Sequence, residues 1–164
     1  YAASYYFLTT HYGTCSDHYW ANWDLGNIAS VMAIGILCDD YEKYNFGINY
    51  FKNGIGTGQI DNLVINQFDG YPLLGQGQES GRDQGHATLC MVLASTIAEI
   101  AYNQSEDLFS YKNNKLLSFF EYTAKYNLME DVPFVAYTNC ENAQMTNISS
   151  SARGSSRPAW ELIY

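Results

Sequence analysis

Positive charge is scarce in this chain: 8 Lys and Arg stand against 17 Asp and Glu, for a formal net charge of −9. Nucleic-acid binding needs a basic surface that displaces counterions from phosphates, so no DNA or RNA partner is expected. An anionic small molecule or polysaccharide needs only a local cationic site, and the three arginines, Arg82, Arg153 and Arg157, are suggestively placed for one. The four cysteines, Cys15, Cys38, Cys90 and Cys140, show neither CxxC nor Cys/His ligand spacing, which argues against a zinc site. Cys38 and Cys90 sit in apolar helical runs and are expected to be buried thiols, whereas Cys15 and Cys140 lie in loop-like sequence and could pair. Long apolar runs are missing too: none reaches the ~18 residues needed to span a bilayer, and no leader-like segment opens the chain. The expectation is a soluble, mature or truncated product with no membrane partner.

What is present is apolar and aromatic. The 164 residues are 47% hydrophobic, 16% aromatic and only 15% charged, a composition that folds and that fits one domain over residues 1–164. Aromatic side chains in such number fill cores and also line carbohydrate clefts. The sequons at Asn103 and Asn147 permit secretion, and the expected location is extracellular.

The stretch 22–38, "NWDLGNIASVMAIGILC", is apolar on nearly every face, as a helix buried among other helices would be. Residues 41–53 place Tyr41, Tyr44, Ile48 and Phe51 at helical spacing and turn Glu42, Lys43, Asn49 and Lys52 outward, which predicts a half-exposed helix. A glycine-rich stretch over 54–77 reads as a long functional loop with one helical turn near 62–67. The alternation then repeats, with a buried helix over 81–103 and an amphipathic one over 113–127. Inner and outer helices in alternation predict an all-α fold whose hairpins form part of an (α/α)n toroid, an incomplete barrel with long functional loops; a plain bundle is the simpler alternative. A closed toroid needs ~300 residues or more at this spacing, so the chain is expected to be a segment of a longer enzyme, with the remainder of the same toroid as its partner. Residues 129–158 read as extended loop, with a helix restarting at Pro158.

Three polar clusters stand at the predicted helix mouths. In "ESGRDQGH", Ser80 and Asp83 fit a capping box, while Arg82 and His86, four apart, would share one face at the positive end of the helix. Arginine and helix dipole together would favour a neutral His86, the form a general base requires; the bland alternative pairs Arg82 with Glu79 and leaves His86 to packing. In "SDHYWANWD", Asn22 is either an N-cap or an amide entering the same cavity as His86, with His18, Trp20, Trp23 and Asp24 as further walls. Arg157 and Tyr164, seven apart, would lie about two turns along one face.

"NWDLGNIASVMAIGILCDD", "GQGQESGRDQGHATL", "YNLMEDVPFVAYTNC" and "RPAWELIY" together resemble the α/α-toroid polysaccharide lyases of the alginate lyase and glucuronan lyase kind, over most of 20–164. The resemblance implies β-elimination on an anionic, uronate-containing polysaccharide with no metal or organic cofactor. It assigns Asn22 and Arg157 to neutralising the uronate carboxylate, His86 to removing the C5 proton, and Tyr164 to protonating the departing O4 or serving as base for the other C5 configuration. Trp20, Trp23, Glu79, Arg82 and Tyr137 become substrate-binding or supporting residues. Unlike the better-known alginate lyase pattern, the Asn and His here are not adjacent, so His18 stands as a rival base and Tyr137 as a rival acid. The competing readings are a toroid glycoside hydrolase acting through Asp24 with Glu79 or Asp83, and a non-catalytic carbohydrate-binding or structural piece.

Overall fold

The computed structural model describes residues 1–70, 73–155 and 157–160. The chain is mostly α, about 53% helical. Helix α1 (Ala2–Thr10) ends in a tight turn, His11–Gly13, whose three residues all have positive φ. Helix α2 (Ala21–Leu37) lies against α1, α3 (Tyr41–Asn53) and α5 (Gln84–Tyr102), and this contact set explains why its apolar residues run around most of its circumference. Leu25, Ile28, Val31 and Met32 of α2 share one core with Ile48 and Phe51 of α3 and with Met91, Ala94 and Ile97 of α5. Helix α6 (Tyr111–Asn127) packs on α5, with Leu116, Phe119 and Phe120 inward. The predicted alternation of buried and amphipathic helices is therefore present.

By length and composition α5 could cross a bilayer, contrary to the expectation that no segment is apolar enough. Its buried face, packed on α2 and α6, accounts for that composition as a core helix.

The glycine-rich stretch departs from a plain loop. It forms a short helix, α4 (Ile60–Leu63), then an antiparallel hairpin of β1 (Val64–Phe68) and β2 (Leu74–Gly77) laid on α6. A Cβ on Gly77 would stand 2.3 Å from the Phe119 ring, and one on Gly75 2.4 Å from Ser118 Oγ. These glycines are contact positions where strand backbone meets helix, which is why a turn-oriented reading mistakes them for loop.

Residues 129–155 form a strap with one small antiparallel pair, β3 (Tyr137–Thr138) and β4 (Gln144–Met145). Cys15 and Cys140 are joined in a disulfide, Cys140 N–H donates to Asp17 Oδ1 at 3.0 Å, and His18 Nδ1 lies 2.5 Å from Glu141 Oε1. Arg153 braces the same strap against the C-terminal end of α6, donating to the carbonyls of Tyr126 and Glu130 at 2.8 Å each. Cys90 is buried as expected, but Cys38, at the C-terminal cap of α2, is exposed. Pro158 and Ala159 form a turn and Trp160 is in 3-10 conformation; the rest of the helix expected from Pro158, Tyr164 included, lies outside the described residues.

Candidate active site

The mouths of α2 and α5 meet through one segment, residues 78–83. The first turn of α2 has no side-chain cap of its own: Trp20 occupies the N-cap position and Asn22 is already inside the helix. Its free N–H groups are met from across the chain, Ala21 N–H by Gln78 Oε1 at 3.1 Å and Asn22 N–H by Glu79 Oε1 at 3.4 Å. Asn22 is thus not the N-cap. Among the described residues its Oδ1 is buried with no hydrogen-bond partner.

Glu79 is buried, and its other oxygen receives Arg82 Nη1 at 3.2 Å. Burial pushes the Glu79 carboxyl up, and Arg82 with the Asn22 N–H offsets this only in part. Behind it, burial and the neighbouring Glu79 push the Cys90 thiol up, so this cysteine stays protonated and inert. Arg82 lies over the Trp20 ring, 5.0 Å from its centroid, with its Nε 3.9 Å from Asp83 Oδ2. The Arg82–Glu79 pairing that competed with a catalytic role is therefore the one present.

The capping box is replaced by a simpler device. Asp83 is itself the N-cap of α5, accepting His86 N–H on Oδ1 at 2.8 Å, and Ser80 caps nothing. Arg82 consequently precedes the helix and does not share a helical face with His86. The group that touches the imidazole is Asp83, whose Oδ2 lies 2.6 Å from His86 Nδ1. Burial pushes the Asp83 carboxyl up, but the His86 N–H and ring together with Arg82 outweigh it and hold Asp83 below the usual carboxylate value. An ionised Asp83 can only accept, so Nδ1 carries a ring proton, and any proton-accepting role of the ring falls to Nε2. One residue back, the Gly85 carbonyl accepts from Arg157 Nη2 at 3.4 Å, while Arg157 Nε is buried without a partner among the described residues.

Contacts thus link Trp20, Asn22, Glu79, Arg82, Asp83 and His86, with Arg157 beside the same first turn of α5. The remaining candidates fall elsewhere. Trp23 stands half-exposed against Phe7 of α1 and Tyr19. His18 is held by Glu141 at the strap. The Tyr137 hydroxyl donates to the Gln78 carbonyl and accepts from Gly81 N–H at 3.1 Å, and burial pushes its pKa up to about 12. That phenol is occupied in holding the strap to the 78–81 turn. Gln78 and Tyr137 also line a cleft of about 470 Å³ between the 16–17, 55–66 and 135–139 segments, and Asn22, His86 and Arg157 do not line it.

The hydrolase pair fails on burial. Asp24 is sealed in the interior with His11, Tyr50 and Gly58 N–H as its partners, and Glu79 is committed to Arg82 and the α2 mouth. Neither can face a glycosidic bond, as two-carboxylate hydrolysis requires. The sequence reading missed the His11–Asp24–Tyr50 cluster, the cross-chain capping by Gln78 and Glu79, and Asp83 as the partner of the His86 ring. Only the last had a local signal, Asp three residues before His at a helix start.

An exposed imidazole oriented by a carboxylate, next to an arginine at a helix mouth in a mostly-α chain, suits a polysaccharide lyase. The sequence model of the alginate lyase family matches residues 2–134, and the chain belongs to that family; it is a polysaccharide lyase. Arg157 lies beyond the matched residues. No curated protein and no solved structure matches.

Proposed function

We propose that the chain cleaves a uronate polysaccharide, alginate or glucuronan, by β-elimination at the joined mouths of α2 and α5. The positive ends of these helices, with Arg157 and the Asn22 amide, neutralise the carboxylate of the sugar being cleaved. That charge relief stabilises the enolate-like species formed when His86 Nε2 removes the C5 proton. The electron pair then forms the C4–C5 double bond as the C4–O4 bond breaks, and the departing oxygen takes a proton from Tyr164. Tyr137 is set aside as the acid because its hydroxyl already serves Gln78 and Gly81. Glu79 and Arg82 hold the two mouths in register and leave the proton transfers to others. The helical hairpins form part of an α/α toroid, and the Cys15–Cys140 disulfide favours an extracellular location.

The observation that carries this reading is the Asp83–His86 pair, which engages the ring through Nδ1 and, among the described residues, leaves Nε2 without a hydrogen-bond partner, one residue from the carbonyl that Arg157 touches. The test is product chemistry on alginate and glucuronan. Elimination yields one unsaturated, ultraviolet-absorbing end for each new reducing end; new reducing ends without that absorbance would overturn it.

A further inference from the structure

Four aromatic side chains at the α1–α2 corner lie outside the elimination chemistry. Phe7 is buried, and Tyr12, Tyr19 and Trp23 rest on it with ring centroids 5.6, 5.0 and 6.0 Å away. Tyr6 extends the group, 5.7 Å from Tyr12. Tyr6, Tyr12 and Trp23 are 54%, 56% and 51% exposed; Tyr6 meets Tyr12 directly, and Tyr12 is linked to Trp23 through Tyr19, so the three form one aromatic cluster at the surface.

The display is held in place from beneath. Tyr12 sits at φ 53°, a left-handed conformation unfavourable for a residue with a bulky side chain, directly after His11 at φ 42°. His11 is pinned inward by Asp24 Oδ1 at 3.0 Å and the Tyr50 hydroxyl at 3.2 Å. The interior cluster thereby fixes the strained turn that turns the Tyr12 ring outward.

Charge indicates the occupant. The protein carries −9, which repels a polyanion, yet residues 1–16 contain no Asp, Glu, Lys or Arg. The acids at the edge of the corner are engaged, Asp17 by Cys140 N–H and Glu141 by His18. The corner and the candidate site meet at the first turn of α2: Trp23 N–H donates to the carbonyl of Trp20, whose ring underlies Arg82.

We infer that this corner is a stacking platform for the uncleaved part of the uronate polysaccharide, the apolar C–H faces of its sugar rings lying on Tyr6, Tyr12 and Trp23. The identity of the polymer rests on the elimination reading above. The platform holds a long chain by contacts that carry no charge, and it adds nothing for a fragment too short to reach it.

The test is binding of soluble alginate and glucuronan to the full-length enzyme, compared with binding of a uronate disaccharide. Replacing Tyr12→Gly together with Trp23→Ala is expected to weaken polymer binding about tenfold and leave disaccharide binding unchanged. Glycine relieves the left-handed backbone, so a loss of binding with an unchanged melting temperature reports the rings; Tyr6→Ala, on α1 and without backbone strain of its own, provides a second variant. Unchanged polymer binding in both variants would overturn the platform, and so would a wild-type dimer that these substitutions split into monomers. The two readings fail separately. Polymer bound through these rings without unsaturated product defeats elimination alone, whereas unsaturated product with ring-independent binding defeats the platform alone.

Discussion

Two histidine–aspartate pairs lie in this molecule, and they differ in almost everything except residue type. His11 and Asp24 meet at 3.0 Å with side chains 2% and 0% exposed, and the histidine nitrogen that faces the aspartate also meets the Tyr50 hydroxyl. His86 and Asp83 meet at 2.6 Å with side chains 38% and 21% exposed, and contact is through Nδ1, with Nε2 outside the pair. The first pair fixes a turn and closes the interior; the second stands at a helix mouth, where we propose that it orients a base. Burial and the partners of the other ring nitrogen separate the two pairs, and neither is visible in the spacing of the residues.

The largest effect expected at the interior pair comes from removing its carboxylate. Asp24→Ala strands His11, Tyr50 and Gly58 N–H without their acceptor and should destabilise the fold by about 3–5 kcal/mol, read by chemical denaturation. A melting curve like that of wild type would show that the interior pair is not structural. Gly56→Ala attacks the same cluster from another side, since its Cβ would stand 2.1 Å from Asp24 Oδ2 and 2.7 Å from His11 Nε2. Overpacking of this kind costs about 1–3 kcal/mol, and an unchanged stability would mean the cluster can yield.

At the exposed pair, Asp83→Asn should lower turnover by about 10-fold or more through loss of ring orientation, with only a small change in stability because asparagine caps nearly as well. The pH dependence sharpens this. Asp83 is held below its ordinary value in the fold, so its stabilising contribution is complete above the unfolded-state value near 3.9 and is lost as pH falls through the lower folded-state value. Asp83→Asn should flatten stability against pH in that acid window; an unaltered profile would deny the pair its charge. The smallest effect belongs to Tyr137→Phe, which removes two hydrogen bonds of the strap. A loss of about 1–2 kcal/mol with turnover within a factor of a few is expected, and a large fall in turnover would restore Tyr137 as the acid.

Much of the helical framework was legible because burial periodicity is local. Residues 22–38 and 41–53 lie within one position of α2 and α3, and the expected helices over 81–103 and 113–127 differ from α5 and α6 by at most three residues at their ends. The β1–β2 hairpin was not, since Gly75 and Gly77 answer to the side chains of α6, more than 40 residues later in the chain. The capping box failed because α5 begins at Gln84, which makes Asp83 the N-cap and leaves Ser80 outside the helix, while the neighbouring Glu79 is drawn across to the mouth of α2, a partner 57 residues away. Of the candidate site, His86, Arg157 and Asn22 were legible as residue types at helix mouths, and Asp83 only as a cap. What separates the two aspartate–histidine pairs, burial, is supplied by distant elements.

The most direct test is to measure elimination rate and melting temperature side by side for His11→Ala and His86→Ala in the full-length enzyme. The account predicts that His86→Ala loses about 10²-fold or more in rate with little change in melting temperature, whereas His11→Ala melts well below wild type. A His86→Ala enzyme that keeps its rate, or that unfolds as readily as His11→Ala, would contradict it.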